Sequence, residues 1–134
     1  MNESDLVAAI GAAVRFADIT IIVRSPSAVA EVRGPLNVRS GHEWLTLGEE
    51  SGSHVHARLS DLRTLRFRQA PDANAALEVL GDGECLLFRI SFRNTNRSRP
   101  EKFDPIRFTT LTERFARFAP TSEMLTECRD GTHS

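Results

Sequence analysis

His54 and His56 stand two apart in the run His54-Val55-His56-Ala57-Arg58. Successive side chains of a β-strand alternate between its faces, so both imidazoles would leave the same side. That geometry could serve a metal or a haem iron. Any further ligand would have to approach in space, with His42, Glu49 and Glu50 as the candidates. An ordinary divalent site needs three or four ligands, which makes a solvent-exposed pair of histidines the plainer reading. Ser60, Asp61 and His56 have the residue types of a triad, but their order and spacing match no nucleophile elbow.

The other chemistry-bearing feature is arginine. Of the 17 basic residues only Lys102 is lysine, a bias that composition alone explains. Arg58, Arg63, Arg66, Arg68, Arg89 and Arg93 fall on or beside expected strands, and some could form a basic sheet face whose guanidinium forks suit carboxylate or phosphate. The alternative is a solvated face paired with Glu78, Glu84 and Asp82. A net charge of -1, the absence of tyrosine and the lack of an RNP-like motif speak against nucleic acid. No glycine-rich phosphate loop is present. Cys85 lies in an apolar run and Cys128 in a polar tail, without metal spacing, and we expect both to be free thiols.

The elements that would carry these residues follow from periodicity. Ser4 can cap a helix over 5–16, where Leu6, Val7, Ile10, Ala13 and Val14 recur at helical spacing. From Ile19 the pattern changes to a β-branched run, Ile19 to Val23, and Ala28 to Val32 returns as a strand that Gly34-Pro35 ends. Further strands are expected at Trp44 to Leu47, His54 to Arg58, Leu62 to Arg68, Ala75 to Leu80 and Cys85 to Phe92. The last two flank Gly81-Asp82-Gly83-Glu84, a hairpin turn. Ser60-Asp61 either turns the chain or caps one helical turn. Phe108, Leu111, Phe115 and Phe118 form an aromatic stripe on one helical face, and Pro120 would stop that helix.

The expected fold is therefore α+β: an antiparallel, twisted sheet of about seven strands, with an N-terminal helix and a C-terminal amphipathic helix. With 134 residues the chain is long enough for one core. We expect a single domain over 1–120 and a polar tail over 121–134. No basic region leads into a long apolar run near Met1, so neither a leader nor a transit peptide is expected, and a cytoplasmic location follows. No apolar run approaches the ~20 residues that span a bilayer, so no membrane is expected as a partner.

The succession of segments from Ile19 to Phe118 resembles the β-sheet half of the HemS/ChuX-type haem-utilisation proteins. Ile21-Ile22-Val23-Arg24 resembles the family's apolar strand before a polar turn, and Ala30 to Leu36 its strand ending in Gly-Pro. Trp44 to Leu47 resembles its tryptophan-bearing strand, His54 to Leu59 its histidine- or arginine-bearing strand, and Leu62 to Phe67 the strand after that. Ala76 to Glu84 matches its strand and glycine turn, and Phe103 to Phe118 takes the place of its closing helix. The resemblance covers about three quarters of the chain.

It implies a cytoplasmic haem carrier or haem-degradation protein serving iron acquisition, often a homodimer, with haem as ligand. His56 would be the haem-iron ligand, with His54 beside it and Arg58, Arg33 and Arg24 as propionate partners. The chain departs from the pattern in its short, histidine-free stretch before the first strand. That departure motivates a second hypothesis, a non-enzymatic interaction module that keeps the fold without haem. An enzyme opening the haem ring ranks behind both, because it would also need an electron donor.

Overall fold

A computed structural model of the chain describes residues 1–118 and 126–128. Helix α1, Glu3–Val14, starts where Asn2 Oδ1 accepts a hydrogen bond from Asp5 N at 2.8 Å. Asn2 is therefore the cap in place of Ser4, which lies inside the first turn. Strands β1 (Ile19–Ser25) and β2 (Ala28–Arg33) form the expected hairpin. Gly34 is required where that hairpin closes. Its N–H donates to Ile19 O at 2.9 Å, and a Cβ there would come within 2.6 Å of the Ile19 side chain.

Then come β3 (Val38–Ser40), β4 (Trp44–Gly48) and β5 (His54–Arg58), a three-stranded antiparallel meander. One 3-10 turn, Leu59–Asp61, leads to β6 (Thr64–Arg68), β7 (Ala76–Leu80) and β8 (Leu86–Phe92). Helix α2, Pro105–Phe115, closes the order; Asp104 Oδ1 accepts from Arg107 N at 3.1 Å, and Pro105 opens the helix where its missing N–H has no cost.

The class is α+β and antiparallel, as expected, with β3 as an additional strand. Among the described residues the eight strands divide into two sheets, ordered β2-β1-β8-β7-β6 and β3-β4-β5. The meander is inserted between β2 and β6, the two edges of the larger sheet, so the chain leaves one edge, builds the small sheet and re-enters at the other. Among the described residues no helix is long and apolar enough to cross a membrane.

The core lies between the sheets and helices. Ile19 and Ile21, Leu65 and Phe67, Leu77 and Val79, and Phe88, Ile90 and Phe92 turn inward from the larger sheet; Leu45 and Leu47 do so from the smaller. Leu6, Ile10 and Val14 from α1, with Leu111 and Phe115 from α2, complete it. Phe118 is buried as well, and its carbonyl accepts from Phe67 N at 3.1 Å, so the end of the α2 segment meets the free edge of β6. The Arg107 guanidinium, partly buried, donates to the carbonyls of Arg93 (2.8 Å), Ala17 (2.6 Å) and Asp18 (3.1 Å). Burial lowers its pKa, while Asp18 and Asp104 act in the opposite direction.

The outer face of the larger sheet carries the ion pairs that the sequence offered as an alternative to a basic patch. Arg89 meets Glu78 at 2.8 Å, Arg66 meets Glu84 at 2.9 Å, and Arg63 approaches Asp82 at 4.0 Å. Glu78 is fully buried in the central region of the sheet. Its register partners Arg66 and Arg89 flank it on both sides.

The expectation of free thiols is overturned. Cys85 and Cys128 form a disulfide, their Cα atoms 4.8 Å apart, across 43 residues of sequence. The tail returns beside β8, where Leu86 N donates to Thr126 O and Cys128 N donates to Leu86 O, both at 2.8 Å, around a parallel Leu86–Glu127 bridge. Only this return brings the thiols together. The loose tail expected over 121–134 is ordered at 126–128; its remainder, and Pro120 itself, lie outside the described residues. The helix expected to run to Pro120 already ends at Phe115, with Ala116 as its C-cap, so Phe118 of the aromatic stripe lies beyond the helix. Closing a loop of this length restricts the unfolded chain by up to about 4 kcal/mol in the chain-entropy account. Cys128→Ser should therefore lower the denaturation midpoint by an amount that reduction reproduces in the parent protein, measured by urea unfolding with and without dithiothreitol.

Candidate functional site

The outer face of the β3-β4-β5 sheet gathers the chemistry that the sequence pointed to. Leu45 and Leu47 alternate inward along β4, which leaves Trp44 and Thr46 on the outer face; in β5, Val55 and Ala57 turn toward the core side and His54, His56 and Arg58 turn outward. Register aligns them in rows. Arg39, Thr46 and His56 lie side by side across the three strands, Trp44 opposes Arg58, and Gly48 opposes His54.

Contacts tie these rows together. The His54 and His56 rings are 4.7 Å apart, and Trp44 meets His56 edge-on at 6.3 Å. The Arg58 guanidinium stacks over the Trp44 ring at 4.7 Å, an arrangement that a cation and an aromatic face favour. Arg58 also pairs with Glu43 at 3.0 Å and Asp61 at 3.9 Å, and Arg39 pairs with Glu50. All of these pairs are solvent-exposed, so each contributes little, about 0–1 kcal/mol, and can be exchanged for another anion.

The two imidazoles differ in one respect that decides their chemistry. His54 Nδ1 lies 2.8 Å from Gly52 O and 3.1 Å from Glu49 O. Carbonyl oxygens only accept, so Nδ1 carries the proton, and in the neutral ring Nε2 is left with its lone pair free. His56 Nδ1 is 3.0 Å from the Thr46 hydroxyl, which can donate or accept, and its tautomer stays open. A backbone carbonyl on Nδ1 is the arrangement that orients a metal-ligating histidine.

Two clefts border this face. One, of about 590 Å³, is lined by Arg39, His42, Glu43, Trp44, Glu50 and His56, among others. The second, of about 260 Å³, runs from Trp44, His56 and Arg58 toward the apolar residues Val23, Val55, Leu87 and Phe88. The larger volume falls in the roughly 300–1,000 Å³ range of small-molecule sites. His42 and Glu50 thus do join His56 around one cleft. Yet among the described residues no three His, Cys, Asp or Glu side chains converge to hold a metal ion. Arg24 and Arg33 lie on β1 and β2 of the other sheet and line neither cleft. His54 lines neither cleft itself and reaches them only through its ring contact with His56 on the same face.

Sequence reasoning missed Trp44, Thr46 and Arg39 as members of this face. Alternation along β4 would have placed Trp44 and Thr46 opposite Leu45 and Leu47, but β3 is too short to be recognised by pattern.

No protein-family model matches the chain, and no curated protein matches it. Solved structures do. A ChuX crystal structure aligns with a TM-score of 0.59 over 87% of this chain and 76% of its own length, at 14% identity. A structure titled as the heme binding protein ChuX aligns at 0.57 over 84% and 74%, at 16% identity. Holo-PhuS, a heme-binding protein from Pseudomonas aeruginosa, aligns at 0.53 over 78% of this chain and 34% of its own, at 16% identity. The fold is that of the HemS/ChuX type.

Gly48 is the local constraint on His54. Its φ of +108° is strained for any L side chain, and a Cβ would approach Ser53 O to 2.3 Å. Gly48→Ala should force the β4–β5 turn to shift and release His54 Nδ1 from its carbonyls. Nitrogen-15 spectra of the imidazoles check this: the parent protein should show a protonated Nδ1 at neutral His54, and the variant a tautomer mixture.

Proposed function

We propose that the chain binds haem on the outer face of its small sheet. The observation that carries this reading is the pair of carbonyls, Gly52 O and Glu49 O, within hydrogen-bond distance of His54 Nδ1, which assigns the proton to Nδ1 and leaves the Nε2 lone pair for a ligand. Haem iron takes an imidazole nitrogen in this state. Trp44, 40% exposed, offers an apolar ring for the macrocycle, and three strands at about 4.8 Å spacing give a face about 10 Å wide, comparable to a porphyrin. Arg58 and Arg39 stand at its margins, where they could exchange exposed carboxylates for propionates.

The sequence reading assigned the iron to His56. The hydrogen bonds favour His54, with His56 packed against it and bonded to the Thr46 hydroxyl. Arg24 and Arg33 take no part in this reading. The fold likeness to heme-binding ChuX and PhuS supports the ligand class, and a role in haem trafficking for iron acquisition extends it. A cytoplasmic setting meets an opposing consideration in the Cys85–Cys128 bond, since disulfides are uncommon in the cytosol of mesophiles. Neither cysteine borders the histidine face, so the haem reading holds in either compartment.

Hemin titration tests it. A saturable Soret shift is expected at about one haem per chain; His54→Ala should abolish it, and His56→Ala should weaken it. Persistence of the parent spectrum in the His54→Ala, His56→Ala double variant would overturn the ligation. Absence of any saturable shift would leave the second reading, a non-enzymatic interaction module, which the open character of this face favours.

A homodimer fits the free edge of β2. Gly34 bonds to Ile19, and in an antiparallel ladder bonded pairs alternate, so Val29, Glu31 and Arg33 turn their N–H and C=O groups to the open edge. Antiparallel pairing of two β2 edges can set Glu31 of one copy opposite Arg33 of the other, twice by symmetry. Glu31→Arg should therefore shift the protein toward monomer in sedimentation analysis, and adding Arg33→Glu should restore the dimer.

A further inference from the structure

We propose that a second site, remote from the histidines, binds a compact small molecule carrying two or more phosphate or carboxylate groups. A cleft of about 710 Å³ is lined by Arg93, Arg99 and Lys102, the amides Asn74, Asn94 and Asn96, and Asp18. It lies where three connections converge: the α1–β1 turn, the β6–β7 loop and the segment 93–104 before α2. The small apolar cleft beside His56 touches the start of β8 at Leu87, whereas this one begins past its end at Arg93. The apolar cleft also reaches Phe88, so four residues of strand, 89–92, lie between the two, a rise of about 17 Å from Phe88 to Arg93.

Charge is the first argument. Arg39, Arg58, Arg63, Arg66 and Arg89 each have a carboxylate partner, while the side chains of Arg93, Arg99 and Lys102 have none among the described residues. Asp18 is the one carboxylate in the lining, and it acts electrostatically on Arg107, whose guanidinium also bonds the Asp18 carbonyl. The lining therefore holds an excess of positive charge in a chain whose net charge is -1. Asp104, nearby in sequence, is committed to capping α2.

Preorganisation is the second. Thr95, buried beneath the segment, accepts from Ala75 N at 2.7 Å and donates to Phe92 O at 2.6 Å. Its own N–H donates to Asn74 Oδ1 at 3.2 Å, which occupies the oxygen of that amide and leaves the Asn74 NH₂ as a donor without a partner among the described residues. Asn94 has a φ of +66°, a conformation asparagine tolerates, and its carbonyl accepts from Asp104 N at 2.8 Å. Asn96 anchors the segment to Asp72 O at 3.2 Å, and Arg93 N bonds Asp18 O at 3.0 Å. Guanidinium, ammonium and amide donors thus surround a polar space whose backbone is already held, so binding would order little beyond side-chain tips.

Pyrophosphate and citrate are the probes, titrated separately at physiological ionic strength into the full chain and followed by backbone amide chemical shifts. Saturable shifts confined to Asp18, Asn74 and 93–102 are expected for at least one probe; response to pyrophosphate alone identifies phosphate, and to citrate alone carboxylate. The Arg93→Gln, Lys102→Gln variant, which alters only exposed side chains, should bind at least about tenfold more weakly while retaining the parent far-UV spectrum. Failure of both probes to give saturable shifts, or equal affinity in that variant, would overturn the proposal. Hemin binding is read independently by the Soret band, so the fates of the two sites are separable.

Discussion

The ring of Phe115 is the contact on which the architecture turns. It stacks on Phe92 of β8 at 5.7 Å, meets Phe67 of β6 at 5.9 Å and Phe16 beyond α1 at 6.1 Å, and approaches Phe118 at 6.4 Å. One side chain of α2 thereby joins two strands of the larger sheet to the end of the first helix. Aromatic clusters of this kind bury large apolar areas and add directional edge and stacking preferences. With Phe115 seated, the position of α2 is determined, and with it the course of 93–104, because Arg107 in the first turn of α2 draws the Arg93, Ala17 and Asp18 carbonyls together.

The small sheet depends on the same core from the other direction. Leu45 and Leu47 are fully buried, and their alternation obliges Trp44 and Thr46 to face outward. Pairing then carries the requirement to β5, where His54 and His56 share the outer face by register rather than by any attraction between them. The histidine face is thus a by-product of hydrophobic alternation that local hydrogen bonds then refine. The β4–β5 turn does the refining, since Gly48 allows the turn to bring Glu49 and Gly52 carbonyls to His54 Nδ1.

Besides the carbonyl-binding role of Arg107, arginine serves other separate ends among the described residues. On the outer face of the larger sheet Arg66 and Arg89 flank the buried Glu78, and Arg89 pairs with it, so removing Arg89 would leave a carboxylate in a poorly solvated position, whereas Arg66 pairs with Glu84. Around Trp44, Arg58 is held by a ring and two exposed carboxylates. At the end of β8 the cations face a polar space without carboxylate partners among the described residues. Sequence position does not distinguish these uses, because in each case the partner comes from a different strand or loop.

Periodicity determined much of this protein without help from tertiary structure. The β-branched run at Ile19, the alternation of Leu65 and Phe67 with arginine, the glycine turn before β8 and the aromatic stripe of α2 each encode a local preference that the fold satisfies. The shared face of His54 and His56 was legible for the same reason, since strand alternation is a local rule. What the tertiary structure alone decided is every relation across distance: the division of the strands into two sheets, the row Arg39–Thr46–His56, the Cys85–Cys128 bond across 43 residues, and the convergence of Asp18, Asn74 and Arg93. The physical reason is that alternation and capping are properties of neighbouring residues, whereas which edge a strand joins depends on how the whole chain shares one core.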